Sequence, residues 1–599
     1  MMYNETVLDH FANPRNAGKL ENASARGETG NPSDGDRIII YVRIQANHLQ
    51  EVRFQTFGCA AAIAASSMLT VLATGKTIEN ASRITNEDVA EALGGLPPEK
   101  SECSNIAADA LQKALAQYQE DADRDETDSN TNSSGDSCQI NMHESAMQQA
   151  SGLTPDQIQR YMRQIIMPEI SGKGQQILLQ THIAVWMPSV SWGEMLLAYL
   201  AAVGFGHITC VLDEVESGKA ILDHVQDLNP ELQWLVQESS EADSDLLISS
   251  SNAALVLGPP NWVGSCHQKL SEQIGSQPPD FPLLSVAIRP WAGVLTSSIS
   301  QPMVQHHRDQ GEKDPVGTIL SASFAGTMSV IQLVKARLGI GQSPKKPFQY
   351  NLMDMTFEET TEFNKYCSLR PDYQRLSRSS VLLIGSGGLG SPSAFVLAKA
   401  GIGTLGLVDY DEVDLSNLNR QILHTTSRIG MPKVVSGAKT LQMLNPQITV
   451  NTYQEQLTED NADMLLEKYD LLLDGLDNMP ARYVANKAAA AASKPFVHAG
   501  VLSFYGQAST IVPGQGHCLE CVFPQSEGEG NFPTCEEMGV LGAAPGLMGV
   551  IQAAETIKQL TGLPPSLQHR FLMVDTLETE FTLVDLSDRE DCPVCSTKR

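Results

Sequence analysis

In the second half of the chain the apolar positions fall in short uninterrupted runs: VLLIG at 381–385, TLGLVD at 404–409, YDLLLDG at 469–475 and KPFVHAG at 494–500. Helical stretches separate them. Strands alternating with helices predict a mostly parallel sheet with helices on both faces. The stretch from about 144 to 345 repeats the pattern. Gly193 and Gly204 in GEMLLAYLAAVG match Gly390 and Gly401 in GSPSAFVLAKAG, and SVIQLVKARLGIG at 329–341 matches GVIQAAETIKQLTG at 549–562. Two matches in the same order indicate a duplication. The apolar run 195–212 contains Gly204, Gly206 and His207, and the repeat explains it as a helix followed by a strand rather than a membrane span.

The two copies differ at the turn after their first strand. The second carries Gly385, Gly387, Gly388 and Gly390, where small residues let the backbone approach a phosphate and the next helix supplies N–H donors. The aligned positions of the first are Pro188, Val190, Ser191 and Gly193, with Trp192 standing in the turn. A phosphate would not fit there. One half is expected to bind a nucleotide and the other is not.

Ahead of both copies, residues 120–137 read EDADRDETDSNTNSSGDS, acidic and without an apolar period. Such a stretch builds no core and predicts a disordered tether. The expected organisation is a domain over 1–119, a linker over 120–143, a degenerate repeat over 144–345 and an intact repeat over 346–599.

Composition narrows the partners. A net charge of −29 over 599 residues argues against nucleic acid and against an anionic membrane, both of which need a basic footprint. The acidity reads as solubility or as recognition of a basic partner. No charged-then-apolar segment opens the chain, and two of the eleven cysteines' spacings are Cys-x-x-Cys, the pattern of metal ligands in a reducing compartment. A cytoplasmic location is expected.

A glycine turn alone is weak evidence, but its surroundings add to it. Asp409 closes the next strand, then come DEVDLSNLNRQ with Asn417, Arg420 and Gln421, then Lys433, then LDGLDN with Asp477. This series resembles the MoeB/ThiF/HesA adenylating enzymes, relatives of ubiquitin-activating enzymes, over most of 355–599. The resemblance implies two Rossmann-like repeats forming a pseudo-dimer, preceded by a small α+β domain. It also implies that Asp409 holds a ribose, that Asn417, Arg420 and Lys433 contact the triphosphate of ATP, and that Asp477 holds magnesium. The degenerate copy opens with IQRYMRQIIMPEI, similar to the family's arginine-bearing helix, whereas the intact copy has FNKYCSLRP, so that Arg163 aligns with Ser368. By the same resemblance Arg163 is lent to the nucleotide site of the other half, giving one ATP site per chain.

Cys518-x-x-Cys521 and Cys592-x-x-Cys595 supply four thiolates in two knuckles, the pattern of a closed structural zinc site. Cys535 lies between them in GEGNFPTCEEMGVLG, where the resemblance implies a cysteine that attacks the activated carrier or links to its thiocarboxylate; some relatives keep it without needing it.

Residues 1–119 resemble the IscU/NifU iron–sulfur scaffolds through YNETVLDHFANPRNAGKL, GNPSDGD, TFGCAAAIAASS and LPPEKSECSNIAADAL. Asp34 stands where that family has its first cysteine, and Glu102 where many members have histidine. Asp36, Cys59 and Cys103 remain, a set suited to zinc or to a weakened iron–sulfur cluster. By resemblance Cys103 accepts persulfide sulfur from a cysteine desulfurase.

The sequence thus predicts adenylation of the C-terminal carboxylate of a Gly-Gly-terminated ubiquitin-like carrier, followed by conversion to a thiocarboxylate. Two other readings stand beside it: an activating enzyme that holds a thioester on Cys535 for conjugation, and a non-catalytic hub that binds a metal or a desulfurase.

Overall fold

The computed structural model describes residues 4–12, 14–18, 20, 22–31, 36–57, 60–95, 102–124, 152–215, 218–274, 281–297, 314–360, 371–524, 538–586 and 592–595. It contains two compact units, one of residues 1–145, 517–538 and 583–599, the other of residues 146–516 and 539–582.

In the first unit, β1 (Ala25–Asn31), β2 (Asp36–Gln45) and β3 (His48–Phe57) form an antiparallel sheet in that order. Helices Ala60–Ala73 and Glu102–Arg124 pack on it over a core of Ile38, Ile40, Val42, Leu69, Ala110 and Leu111. The last helix lies so close to β1 that a Cβ on Gly27 would stand 2.0 Å from the Ala110 carbonyl oxygen. That helix continues to Arg124, past the domain boundary expected at 119. Glu120 stands four positions before Arg124, a spacing that supports another helical turn, so acidity alone misplaced the boundary. Residues 125–151, most of the expected linker, lie outside the described residues.

The second unit contains two eight-stranded sheets. The first is built from β4 (His182–Ser189), β5 (His207–Glu214), β6 (Gln233–Glu238), β7 (Ala253–Gly258), β8 (Leu283–Arg289), β9 (Ala292–Thr296), β10 (Phe348–Asn351) and β11 (Thr356–Glu359). The second uses β12 (Ser380–Ile384), β13 (Thr404–Val408), β14 (Thr449–Tyr453), β15 (Leu471–Asp474), β16 (Phe496–Leu502), β17 (Tyr505–Ile511), β18 (Arg570–Asp575) and β19 (Glu580–Asp585). Their orders, β6-β5-β4-β7-β8-β9-β10-β11 and β14-β13-β12-β15-β16-β17-β18-β19, are the same. The first five strands of each order are parallel, and β8-β9-β10-β11 and β16-β17-β18 run antiparallel, so the sheets are mixed. Strands β10 and β11 belong to the first sheet, which carries the first repeat past the boundary expected at 345. Four-residue strands give little periodicity to read.

Helices Glu194–Val203, Pro315–Leu338, Gly390–Ala400 and Ala543–Leu560, two from each repeat, pack together in the interior. Pro315–Leu338 is long and apolar enough by composition to cross a membrane, but 89% of its most apolar window is buried inside the protein. A helix covered on all sides needs no polar face.

The contacts between repeats are reciprocal. The turn Asn351–Thr356 and the turn Asp575–Glu580 have the same build, with Met355 and Thr579 both at φ near 60°. Asn351 Oδ1 accepts from Met353 N at 2.9 Å and Asp575 Oδ1 from Leu577 N at 3.0 Å. Two residues past the left-handed position of each turn, Phe357 and Phe581 stack on one another with centroids 4.3 Å apart. Buried Lys335 of the first repeat donates to the Thr576 carbonyl at 3.1 Å, and buried Lys558 of the second donates to the Leu352 carbonyl at 2.9 Å. This is the self-complementary geometry of a two-fold dimer, built within one chain.

Candidate functional site

The glycines of the second repeat divide into two kinds. Gly385 has φ 87°, and a Cβ on it would lie 2.5 Å from the Gly475 carbonyl oxygen; one on Gly390 would lie 2.0 Å from that of Gly385. Backbone packing demands both. Gly387 and Gly388 relieve no clash. A Cβ on Gly387 would meet only Gln421 Nε2 at 3.6 Å, and one on Gly388 would meet Arg420 Cδ and Pro545 Cβ at 3.5 Å. Their missing side chains leave a cradle under Arg420 and Gln421, at the start of the helix Gly390–Ala400, suited to phosphate oxygens.

Asp409 ties the end of β13 to this turn. It is buried, and its Oδ2 accepts from Ser386 N at 2.8 Å and Ser386 Oγ at 2.9 Å, while Oδ1 accepts from Asp411 N at 3.0 Å. Asp411 in turn pairs with Lys433 Nζ at 2.8 Å and accepts the Lys433 backbone N–H at 2.9 Å. Asp411, two residues past Asp409, is a site residue that the sequence reading passed over; the Asp-x-Asp spacing was its only signal. Tyr410 is exposed, and the carboxylates of Asp411, then burial, then Asp477 and Asp409 raise its hydroxyl above the usual tyrosine value. Asp477 is therefore gathered to the same mouth, just beyond β15, which pairs directly with β12.

Between β13 and the helix Lys433–Leu444 runs the loop 409–432, and Asn417 and Arg420 sit on it. Asn417 Oδ1 accepts from Asp414 N at 3.1 Å, and Arg420 donates to the Ser416 carbonyl and to Asn419 Oδ1, both at 2.8 Å. His424, fully buried on the same loop, lies 3.2 Å from the Ser386 carbonyl and 3.1 Å from Ser436 Oγ, joining the loop to the glycine turn.

The degenerate repeat props this loop at several points. Its helix Pro155–Ile165 lies against residues 415–417. Burial raises the Asp414 carboxyl, but hydrogen bonds from Ser416 and Gln159 and the nearby charge of Arg163 outweigh it and hold the group below its ordinary value. Arg163 thus stands beside the residue that caps the Asn417 turn. Arg160 donates to Thr426 Oγ1 at 3.0 Å, Asp227 accepts from Ser427 N at 3.0 Å, and His224 Nε2 meets the Ile422 carbonyl at 2.7 Å. Gly539 and Gly542 pass between the same partners: Val540 N donates to the Arg163 carbonyl at 2.8 Å, and Gly542 N to Gln164 Oε1 at 3.2 Å. Arg160, Gln164, His224 and Asp227 were not legible as site residues, because their partners lie hundreds of positions away.

The corresponding region of the first repeat is filled. Strand register puts Leu212, fully buried, at the place of Asp409, and, continued past β7, Pro259 at that of Asp477. Pro188 and Trp262 crowd Gly258, and Trp262 Nε1 donates to Asp213 at 2.6 Å. Only residues 215–218 connect β5 to the next helix.

In the other unit, Cys518, Cys521, Cys592 and Cys595 are buried with their sulfurs all within 4.8 Å of one another. Three of the separations are 3.9 Å (518 to 521), 3.6 Å (518 to 592) and 3.4 Å (521 to 595). Tetrahedral sulfurs about 2.3 Å from a zinc ion stand about 3.8 Å apart, so the four can bind zinc. In the N-terminal domain, Asp36 begins β2 and Cys103 lies in the first turn of the helix Glu102–Arg124. Lys113 bonds to Glu28 and Gln117 to Arg26, so this helix points its N-terminus toward the β1–β2 hairpin end of the sheet, where Asp36 stands. Asp34, Cys59, Ser368 and Cys535 lie outside the described residues.

Two regions of the chain are similar to known proteins. Residues 369–594 match the ThiF family and residues 2–125 the NifU-like N terminal domain. The sulfur carrier protein adenylyltransferase of Thermus thermophilus is 40% identical over 227 residues, 37% of this chain and 84% of that protein. The adenylyltransferase and sulfurtransferase MOCS3 of Xenopus laevis is 40% identical over 257 residues, 40% of this chain and 57% of that protein, and that of Culex quinquefasciatus is 44% identical over 223 residues, 37% and 51%. The chain spans between half and three-fifths of the length of these two relatives. A crystal structure of E. coli MccB aligns with 38% of this chain and 67% of its own at 21% identity and a TM-score of 0.34.

Proposed function

Starting from the premise that this chain belongs to the ThiF family and carries a NifU-like N-terminal domain, we propose that it adenylates the C-terminal carboxylate of a small ubiquitin-like, Gly-Gly-terminated carrier protein. The observation that carries the reading is the loop 409–432, which holds Arg420 and Gln421 over the glycine cradle and is propped by the arginine helix of the other repeat. The carrier carboxylate attacks the α-phosphorus of ATP, the bond to the β-phosphate breaks, and pyrophosphate leaves. Asp409 binds the ribose. Arg420, Lys433 and Arg163 offset the charge on the phosphates, Lys433 exchanging Asp411 for a phosphate oxygen. Magnesium, held by Asp477, would neutralise further phosphate charge. The four-cysteine cluster is a structural zinc site in this reading.

The acyl-adenylate then takes sulfur. A persulfide on Cys103, loaded by a cysteine desulfurase, attacks the acyl carbon and AMP leaves. Cys59 attacks the Cys103 sulfur of the resulting acyl disulfide, which frees the thiocarboxylate and leaves a Cys59–Cys103 disulfide for an external dithiol to reduce. Cys535 supplies an alternative sulfur to hold the carrier between the two steps.

ATP–pyrophosphate exchange with the full-length protein tests the first step. Exchange should require the carrier and disappear when its last two residues are removed; exchange indifferent to the carrier tail, or none with any carrier, refutes the reading. Cys103→Ser should leave exchange intact and abolish formation of thiocarboxylate from cysteine and desulfurase.

A further inference from the structure

Three polar side chains are buried together beneath Asp477. Asp474 ends β15 after the apolar residues Leu471–Leu473; its side chain and that of His498 on β16 are fully buried, and Arg482 is nearly so. Asp474 Oδ2 accepts from His498 Nδ1 at 2.6 Å and from Arg482 Nε at 3.1 Å. Its Oδ1 accepts from Leu476 N at 2.9 Å, and Arg482 donates from its other arm to the Leu476 carbonyl at 2.7 Å and the Ala499 carbonyl at 3.0 Å. Gln552 donates to the Asp474 carbonyl at 2.8 Å. Both backbone polar groups of Leu476, the residue before Asp477, are therefore held by this cluster, and His498 holds the carboxylate at its centre.

The sister repeat does without it. Matching the registers of β4, β7, β8 and β9 to those of β12, β15, β16 and β17 puts Val256 at the place of Asp474 and Ser285 at that of His498, both fully buried, with Ser285 Oγ 2.8 Å from His267 Nδ1. A valine and an uncharged serine–histidine pair serve the same strands there without an ion pair, and a buried ionic cluster is usually no more stable than an uncharged replacement. The cluster accompanies a feature its repeat has and the other lacks, an acidic residue at the mouth of the site: Asp477 against Pro259.

We propose that His498 is a positioning residue for adenylation: acting through Asp474 and Arg482, it fixes Leu476 and thereby the direction in which Asp477 presents its carboxylate to the metal of the nucleotide. This rests on the adenylation reading. His498 touches neither nucleotide nor metal.

The test is pyrophosphate exchange by the full-length protein as a function of magnesium concentration, with wild type, His498→Leu and His498→Asn. Leucine removes the ring's N–H donor and leaves the Asp474–Arg482 pair intact; asparagine keeps an N–H donor where Nδ1 stood. In His498→Leu the magnesium concentration for half-maximal exchange should rise about tenfold, in line with the loss of an outer-shell partner, with the KM for carrier unchanged. His498→Asn should restore the wild-type magnesium dependence, and both variants should melt within a few degrees of wild type. An unshifted magnesium dependence in His498→Leu overturns the inference, as does equal impairment of both variants or unfolding of His498→Leu, which would make the role structural. Failure of the adenylation reading is distinguishable, because the wild type would then show no carrier-dependent exchange at all.

Discussion

The two repeats share eight strands in the same order, the same stacked turn and the same reciprocal lysines, yet differ between their β5 and β13 strands and the helices that follow. Residues 215–218 make that connection in the first repeat and residues 409–432 in the second. What joins the repeats is conserved between them because each buries the other's central helices. What does chemistry is confined to a loop and a few strand ends, and those can be lost from one copy without touching the core. The first repeat has kept the parts that serve its neighbour: Arg163 beside Asp414, and Arg160, His224 and Asp227 along the loop.

That asymmetry should be sharpest in activity. Asp477→Ala should lower carrier-dependent exchange about 1,000-fold, the upper range for removing one preorganised electrostatic group, whereas Trp262→Ala in the filled site of the first repeat should leave the rate within about twofold. Equilibrium dialysis with radiolabelled ATP should count one site per chain, and two would break the comparison.

The reciprocal lysines test how equivalent the two sides of the interface are. Lys558 pairs with buried Glu555, whose carboxylate also accepts from Thr510 Oγ1, Ser566 N and Leu567 N. Lys558→Met strands that buried charge and should cost about 3 kcal/mol. Lys335 contacts the carbonyls of Gln342 and Thr576 and the Thr579 hydroxyl, with no ion pair among the described residues, so Lys335→Met should cost less, about 2 kcal/mol. Denaturant unfolding of the two variants measures the difference.

Acid should loosen the second repeat first. Burial, reinforced by the charge of Lys433, holds the His424 imidazole down at about 3, against an ordinary 6.5. Below pH 6.5 the unfolded chain takes up a proton that the folded chain refuses. Stability contributed by this group is therefore complete above pH 6.5 and declines as pH falls toward 3, by up to about 1.4 kcal/mol per unit. His424→Gln should flatten that slope, and hydrogen exchange at pH 5 should show the loop 409–432 opening before the strands of the first repeat. The smallest effect belongs to Glu194 and Lys399, which bridge the repeats at 3.0 Å and remain partly exposed. Glu194→Gln should cost about 1 kcal/mol or less.

The duplication, the parallel strands and the glycine turn were legible because each is written locally, in apolar runs and in glycines a few positions apart. Asp409, Asn417, Arg420, Lys433 and Asp477 were reached through their order along the chain, and the structure gathers them around one loop and two strand ends. Strands β10 and β11 escaped because four residues carry too little periodicity, and the helix through Arg124 because its acidic composition outweighed its charge spacing. The His498–Asp474–Arg482 cluster gave no signal either: LDGLDN announces its last aspartate, and nothing in the sequence says that its first is buried against a histidine 24 positions on.

By itself the sequence determined that the chain is a tandem of two related α/β repeats, that only the second has a phosphate-sized turn, and that four cysteines stand in two knuckles. Periodicity, glycine placement and ligand spacing are properties of short segments, set by backbone sterics and burial. The tertiary structure alone decided that the degenerate repeat props the loop 409–432, that Lys335 and Lys558 clamp each other's repeat, and that a buried charged cluster underlies Asp477. Those facts depend on which distant residues meet once two sheets close over their shared helices, and no local pattern encodes the pairing.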